Sequence, residues 1–130
     1  MTRNSAVTFA LGALCGITVT AAGLQAFQSE MDPVKLSPQH YTVRIDNDRV
    51  RVIEFHLPSG QKDRMHSHLP GIVYTVGNAK LRTTLPDGSV SDVTVKTGGL
   101  VWREATTHAL ENIGSTEASS IAVELKPCSK

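Results

Sequence analysis

From residue 41 onward, apolar and polar positions alternate in short runs, separated by clusters of Gly, Pro, Asp and Asn. Side chains on a strand point to opposite faces in turn, so a period of two marks a half-buried strand. The pattern predicts strands over residues 41–45, 49–57, 65–68, 72–76, 79–85, 90–95, 100–103, 108–113 and 119–125. Asp46-Asn47-Asp48 and Pro58-Ser59-Gly60 supply turns between them. Pro86-Asp87-Gly88-Ser89, between two alternating runs, is the clearest hairpin signal, with Leu81 and Leu85 expected on one face. About nine short strands at a spacing of roughly 8–12 residues, with no helix expected after residue 30, predict an all-β single-domain antiparallel barrel or jelly roll. The domain is expected over residues 38–126, and residues 27–37 read as a linker or arm laid over it.

Composition changes this picture little. A chain of 130 residues has room for one domain with its own core. With 13 Lys and Arg against 12 Asp and Glu, scattered singly, no basic stripe points to nucleic acid. Cys15 and Cys128 are too few for a structural zinc knuckle. No Ser-His-Asp, Cys-His or glycine-rich phosphate pattern appears.

The N-terminus is different. Residues 4–29 carry no charge, Arg3 precedes them, and an apolar run over 6–22 ends near Ala21-Ala22-Gly23. A positive start, an apolar segment and small residues describe a secretory signal peptide over residues 1–26. The competing reading is an uncleaved anchor through residues 4–29, since the run approaches the ~20 residues that span a bilayer. The first places the domain in the periplasm or outside the cell, and the second tethers it to a membrane.

The candidate chemistry lies in two histidine elements. Gly60, His66 and His68 form Gly-x5-His-x-His, and His108 with Asn112 forms His-x3-Asn some forty residues on. On a strand His66 and His68 share a face about 7 Å apart. With His108 from a distant strand they could make a three-nitrogen set that leaves further positions open for water or substrate.

These elements resemble the two motifs of the cupin superfamily, small antiparallel barrels, over roughly residues 38–126. Gly60, His66 and His68 match the first motif; His108 and Asn112 match the end of the second. The sequence departs from the pattern twice. Ile72 or Val73 stands where the family carries a metal-binding Glu, and Arg103-Glu104-Ala105 replaces Pro-x-Gly, with Gly98 or Gly99 near the expected upstream glycine. The resemblance implies one divalent transition metal on His66, His68 and His108. Without the carboxylate the preference moves toward Fe, Zn, Cu or Ni, and the uncompensated charge favours anionic ligands. Three-histidine cupins among the thiol and diketone dioxygenases imply iron and a dioxygenase-like activity. A non-catalytic module binding a metal or a small ligand is the alternative. Protons should compete with the metal below about pH 6.

Around this set, Glu54, Glu104 and Glu111 are the carboxylates considered as a further ligand. Asn112 shares a face with His108 and is either a backbone-bonding turn residue or a contact behind the metal or to substrate. Tyr74 and Trp102 are the aromatics expected to reach a cavity, each with core packing as its plain alternative. Arg103 is either an exposed ion-pair partner or a greeting point for an anionic substrate. His40 and His56 read as ordinary polar residues. The expected partner is a small molecule, and the choice between monomer and homodimer is left open.

Overall fold

The computed structural model describes residues 30–128; the signal or anchor reading falls on residues outside them. Nine strands are present among the described residues: β1 Tyr41–Asp46, β2 Val50–Leu57, β3 His66–His68, β4 Gly71–Gly77, β5 Ala79–Thr84, β6 Val90–Val95, β7 Leu100–Arg103, β8 Thr106–Asn112 and β9 Ala118–Leu125. The strand pattern expected from alternation is therefore present, with ends moved by one or two residues. One element was not expected. A short helix, α1 (Pro33–Leu36), begins on the Asp32 cap, whose Oδ1 accepts from Val34 N at 3.0 Å. Asp followed by Pro is a helix-start signal, since a capping oxygen meets a free amide and Pro lacks one. Its shortness hid it from any periodicity.

All pairings are antiparallel, in two sheets of order β1-β2-β9-β4-β7 and β3-β8-β5-β6. This is the jelly-roll form of the expectation. β2 shows why it buries a core. Ile53, Phe55 and Leu57 point between the sheets, while Glu54 and His56 alternate outward. They pack with Tyr41, Ala79, Leu81 and Ala118, and with Val34 from α1. Burying each large apolar side chain stabilises by about 1.5–3 kcal/mol, so three in a row hold β2 in register.

The β5–β6 hairpin forms as predicted, its turn closed by Leu85 N donating to Ser89 O at 2.9 Å and by Asp87 Oδ1 accepting from Ser89 N. Leu85 itself lies beyond the strand and is exposed, whereas Leu81 is buried. Two glycines have particular tasks. Gly60, at φ +76°, turns the chain into the segment that leads to β3, and its N–H donates to Asn112 O. Gly71 backs so closely onto β9 that a Cβ would lie 2.0 Å from Val123 O.

Candidate metal centre

β3 pairs with β8 so that His66 stands directly opposite His108. The forty-residue gap between the motifs is thus one cross-strand step. Alternation puts His68 on the same face, and nitrogens of the three rings all lie within 4.8 Å of one another. The His66 and His68 rings are fully or nearly fully buried.

The acceptors behind the rings decide their tautomers. His66 Nδ1 lies 2.7 Å from the carbonyl of Arg64, and His68 Nδ1 lies 2.6 Å from Oε1 of Glu124. Both partners only accept, so each Nδ1 carries the proton and each Nε2 presents a lone pair. Those two Nε2 atoms are 2.9 Å apart. The Tyr41 hydroxyl is 3.1 Å from His66 Nε2, yet its single proton goes to Asp63 Oδ2 at 2.6 Å. His108 Nε2 is buried with no hydrogen-bond partner among the described residues. Lone pairs that face one another without a donor make a poor hydrogen-bond network and a good cation site. The donor set therefore fits a divalent transition ion, with Glu124 and the Arg64 carbonyl orienting the rings from behind.

Electrostatics agree. Burial, with His68 and His66 close by, pushes the His108 imidazole down to about 3. Burial likewise holds His68 well below its usual range, with Arg103, His66 and Arg51 adding to it, and lowers His66. Neutral imidazole is the form a metal requires. Glu124 is fully buried and does not simply charge His68, because Arg51 donates to its Oε2 through Nε and Nη2 at 3.1 and 3.0 Å. Arg51 Nη1 in turn reaches Asp32, the cap of α1, at 2.7 Å. Tyr41 is raised well above its ordinary value by burial and by Asp63, so it stays a phenol.

Beside the three nitrogens opens a cavity of about 310 Å³ lined by His68, His108, Tyr41, Trp102 and Arg103 at its polar end, with Val73, Val95, Val101 and Leu110 among its apolar walls.

Comparison with solved structures places this geometry. A cupin domain from Bordetella pertussis Tohama I is 29% identical, with a TM-score of 0.61 over 67% of this chain and 92% of that one. An RmlC-like cupin family protein with a double-stranded β-helix fold from Methanocaldococcus jannaschii has a TM-score of 0.51 at 19% identity, over 65% and 79% of the two chains. A protein with a double-stranded β-helix domain from Klebsiella pneumoniae gives 0.51 at 17%, over 67% and 75%. The chain has the cupin fold, a double-stranded β-helix of jelly-roll form. No protein-family model matches the sequence, and no curated protein does.

Val73 lines the cavity where the family pattern has Glu, and Ile72 faces outward. None of the three carboxylates reaches the site. Glu54 pairs with Arg44 and His56, Glu104 accepts from the Trp102 indole, and Glu111, whose backbone forms a β-bridge with Lys62, lies on the face of β8 opposite to His108. Asn112 is no site residue either. Its side chain bonds the carbonyls of Leu57 and Thr116 and the amide of Gly114, which ties the end of β8 to neighbouring turns. Tyr74 is on the outer face, because Val73 and Thr75 take the inward positions of β4. Trp102 is among the residues around the cavity, but it stands opposite the outward Ile72, half-exposed, with its indole bonded to Glu104. Arg103 is neither free nor simply exposed; it reaches in toward Glu124. His40 is buried against the His56 carbonyl, and His56 sits outside with Glu117, as ordinary polar residues do.

The sequence reading missed Tyr41, Asp63, Arg51 and Glu124. Glu124 had a signal: it lies two residues after Ala122, in phase with the buried face of β9. A carboxylate in that phase needs a buried partner. Asp63 lies inside the first motif's spacer, where nothing in the pattern distinguishes it.

Proposed function

We propose that this cupin holds one divalent transition metal, Fe, Zn, Cu or Ni, on Nε2 of His66, His68 and His108, and uses it on a small organic molecule held in the adjoining cavity. The carrying observation is the set of converging lone pairs, with His108 Nε2 buried and unpartnered at the cavity wall. When bound, the ion supplies a Lewis acid or, with iron, the redox centre of a dioxygenase-like reaction. The protein's own part is otherwise. Glu124 and the Arg64 carbonyl keep two rings oriented with Nδ1 protonated, Tyr41 holds its phenol proton against Asp63 at the edge of the site, and the apolar walls exclude water.

The alternative is a non-catalytic module that sequesters the metal or a ligand, and Val73 in place of the motif carboxylate favours it. Export belongs to the same proposal. Arg3 and the uncharged residues 4–29 support a periplasmic or extracellular domain, or a tethered one, which mass spectrometry of the protein from its host tests by locating the mature start between residues 22 and 28.

For the metal, titration calorimetry with Zn²⁺, Fe²⁺, Ni²⁺ and Cu²⁺ should find one site, weakened by orders of magnitude in His68→Ala with the fold retained. Equal binding by wild type and variant would refute the assignment. Elemental analysis of protein from the native host, followed by an O₂-consumption screen, separates the dioxygenase from the module.

A further inference from the structure

Two buried side-chain nitrogens lack a hydrogen-bond partner among the described residues: His108 Nε2 and Arg103 Nε. Both belong to residues that line the same cavity. The first offers a lone pair when the ring is protonated on Nδ1, and then fits a cation. The second is an N–H donor on a cation and fits an anion. Glu124 does not meet that need. Its Oε2 accepts twice from Arg51 and its Oε1 accepts from His68, leaving Arg103 a single long contact of 3.4 Å through Nη2. That contact anchors one corner of the guanidinium and leaves the Nε side for something else. A buried donor without an acceptor costs about 1–3 kcal/mol, more on a charged group, so the position calls for an oxygen from outside the described residues.

The rest of the cavity describes the other end of that molecule. Beyond the polar end its walls are Val73, Val95, Val101, Leu110 and Phe55 together with the uncharged Thr75, Thr83, Ser119 and Ser120. They offer no charge for a second polar group. The volume, about 310 Å³, is at the lower end of the roughly 300–1,000 Å³ of small-molecule sites. Val93 and Val101 line the cavity yet are 46% and 58% exposed, and they lie on β6 and β7, edge strands of opposite sheets. Both stand where the cavity's lining meets solvent.

We propose that the cavity binds a small apolar monocarboxylate, with its carboxylate on Arg103 Nε beside the three histidines and its hydrocarbon body along the valine-lined wall. It rests on the reading of this cavity as the ligand site and names the class of molecule it takes. Arg103 is the residue that sets the specificity: a planar guanidinium meets a carboxylate through directed N–H bonds, and neutral or cationic head groups forfeit them.

Trp102, the one tryptophan of the chain, sits between the cavity-lining Val101 and Arg103 on β7 and reports on them. Its fluorescence is followed while the full-length protein, metal-free and then zinc-loaded, is titrated with hexanoate, hexan-1-ol, hexylamine and acetate. Hexanoate should bind about ten- to a hundredfold more tightly than hexan-1-ol, the range of a charged hydrogen bond, with hexylamine and acetate weaker still. Arg103→Met should bring hexanoate down to the alcohol, and Arg103→Lys should restore part of the difference because charge returns without the planar fork. Zinc stoichiometry measured on each variant should stay at the wild-type value, since the three histidines are untouched. Hexanoate binding no better than hexan-1-ol in the wild type overturns the proposal without any variant. So does an undiminished preference in Arg103→Met. Failure of the metal reading shows separately, as absent zinc binding, and the metal-free titration still decides on Arg103.

Discussion

β3 and β6 are the two edges of one four-stranded sheet, yet they have opposite fates. All three residues of β3 are buried, whereas five of the six in β6 are exposed. An edge strand carries unpaired backbone groups that must be covered or left to water. At β3 the N-terminal arm covers them. Ser67 N donates to Met31 O at 2.8 Å, and Ser37 Oγ accepts from Arg64 N at 3.2 Å. Asp32, at the head of α1, reaches through Arg51 to Glu124 and so to His68. Among the described residues β6 has no such cover, and the cavity-lining Val93 on it is half-exposed. The contrast separates two tasks: a covered edge holds rings within hydrogen-bonding tolerance, and an open edge admits a ligand.

The strongest way to break this contrast is Arg51→Met. It strips Glu124, which is fully buried, of its main counter-charge, and breaking a buried pair costs roughly 3–5 kcal/mol. Urea denaturation should show a loss of that size, and zinc affinity should fall about 10–100-fold as His68 loses its oriented partner. An Arg51→Met protein as stable as wild type would mean that the arm and its charges do not support the site.

Acid should come next. The three site histidines have folded values below their ordinary ~6.5, His108 down to about 3. Between those limits the unfolded chain binds more protons than the folded one. Stability of the metal-free protein is therefore fully present above about pH 6.5 and is lost as pH falls toward 3, by up to about 1.4 kcal/mol per pH unit for each histidine. The same depression lets metal binding persist below the pH of about 6 expected for ordinary imidazoles. Urea melts from pH 7.5 to 4, with and without Zn²⁺, check both; a flat metal-free profile would contradict the buried, neutral assignment.

Gly71→Ala sharpens the contrast locally. The added methyl would press on the Val123 carbonyl and the Glu124 backbone, so β9 must move and stability should drop by about 1–3 kcal/mol in thermal melts. The smallest effect belongs to the open edge. Val93→Thr should change stability by less than about 0.5 kcal/mol, since its side chain is already half in water. A large loss there would show that β6 is covered in solution, as a second copy of the chain would cover it.

Legibility in the sequence followed the same division. Alternation is a local property, so the strands, the hairpin and the shared face of His66 and His68 could be read directly. His108 was found through its motif, and the β3–β8 register then turned forty residues of sequence into direct opposition. Tyr74 was misplaced by parity alone, since both faces of β4 carry apolar residues and period two cannot say which is inside. The short helix was legible only in its Asp-Pro start.

What the sequence determined by itself was an all-β chain, its turns and three histidines able to share a site, because each rests on neighbours within a few residues. The tertiary structure alone decided which carboxylates matter. Glu124 meets His68 across 56 residues and Arg51 across 73, and Asp63 meets Tyr41 across 22. Such partners are chosen by sheet packing and burial, which force every enclosed charge to find a counterpart wherever the fold brings one. Arg103 follows the same rule with one donor left over, and that surplus exists only in three dimensions.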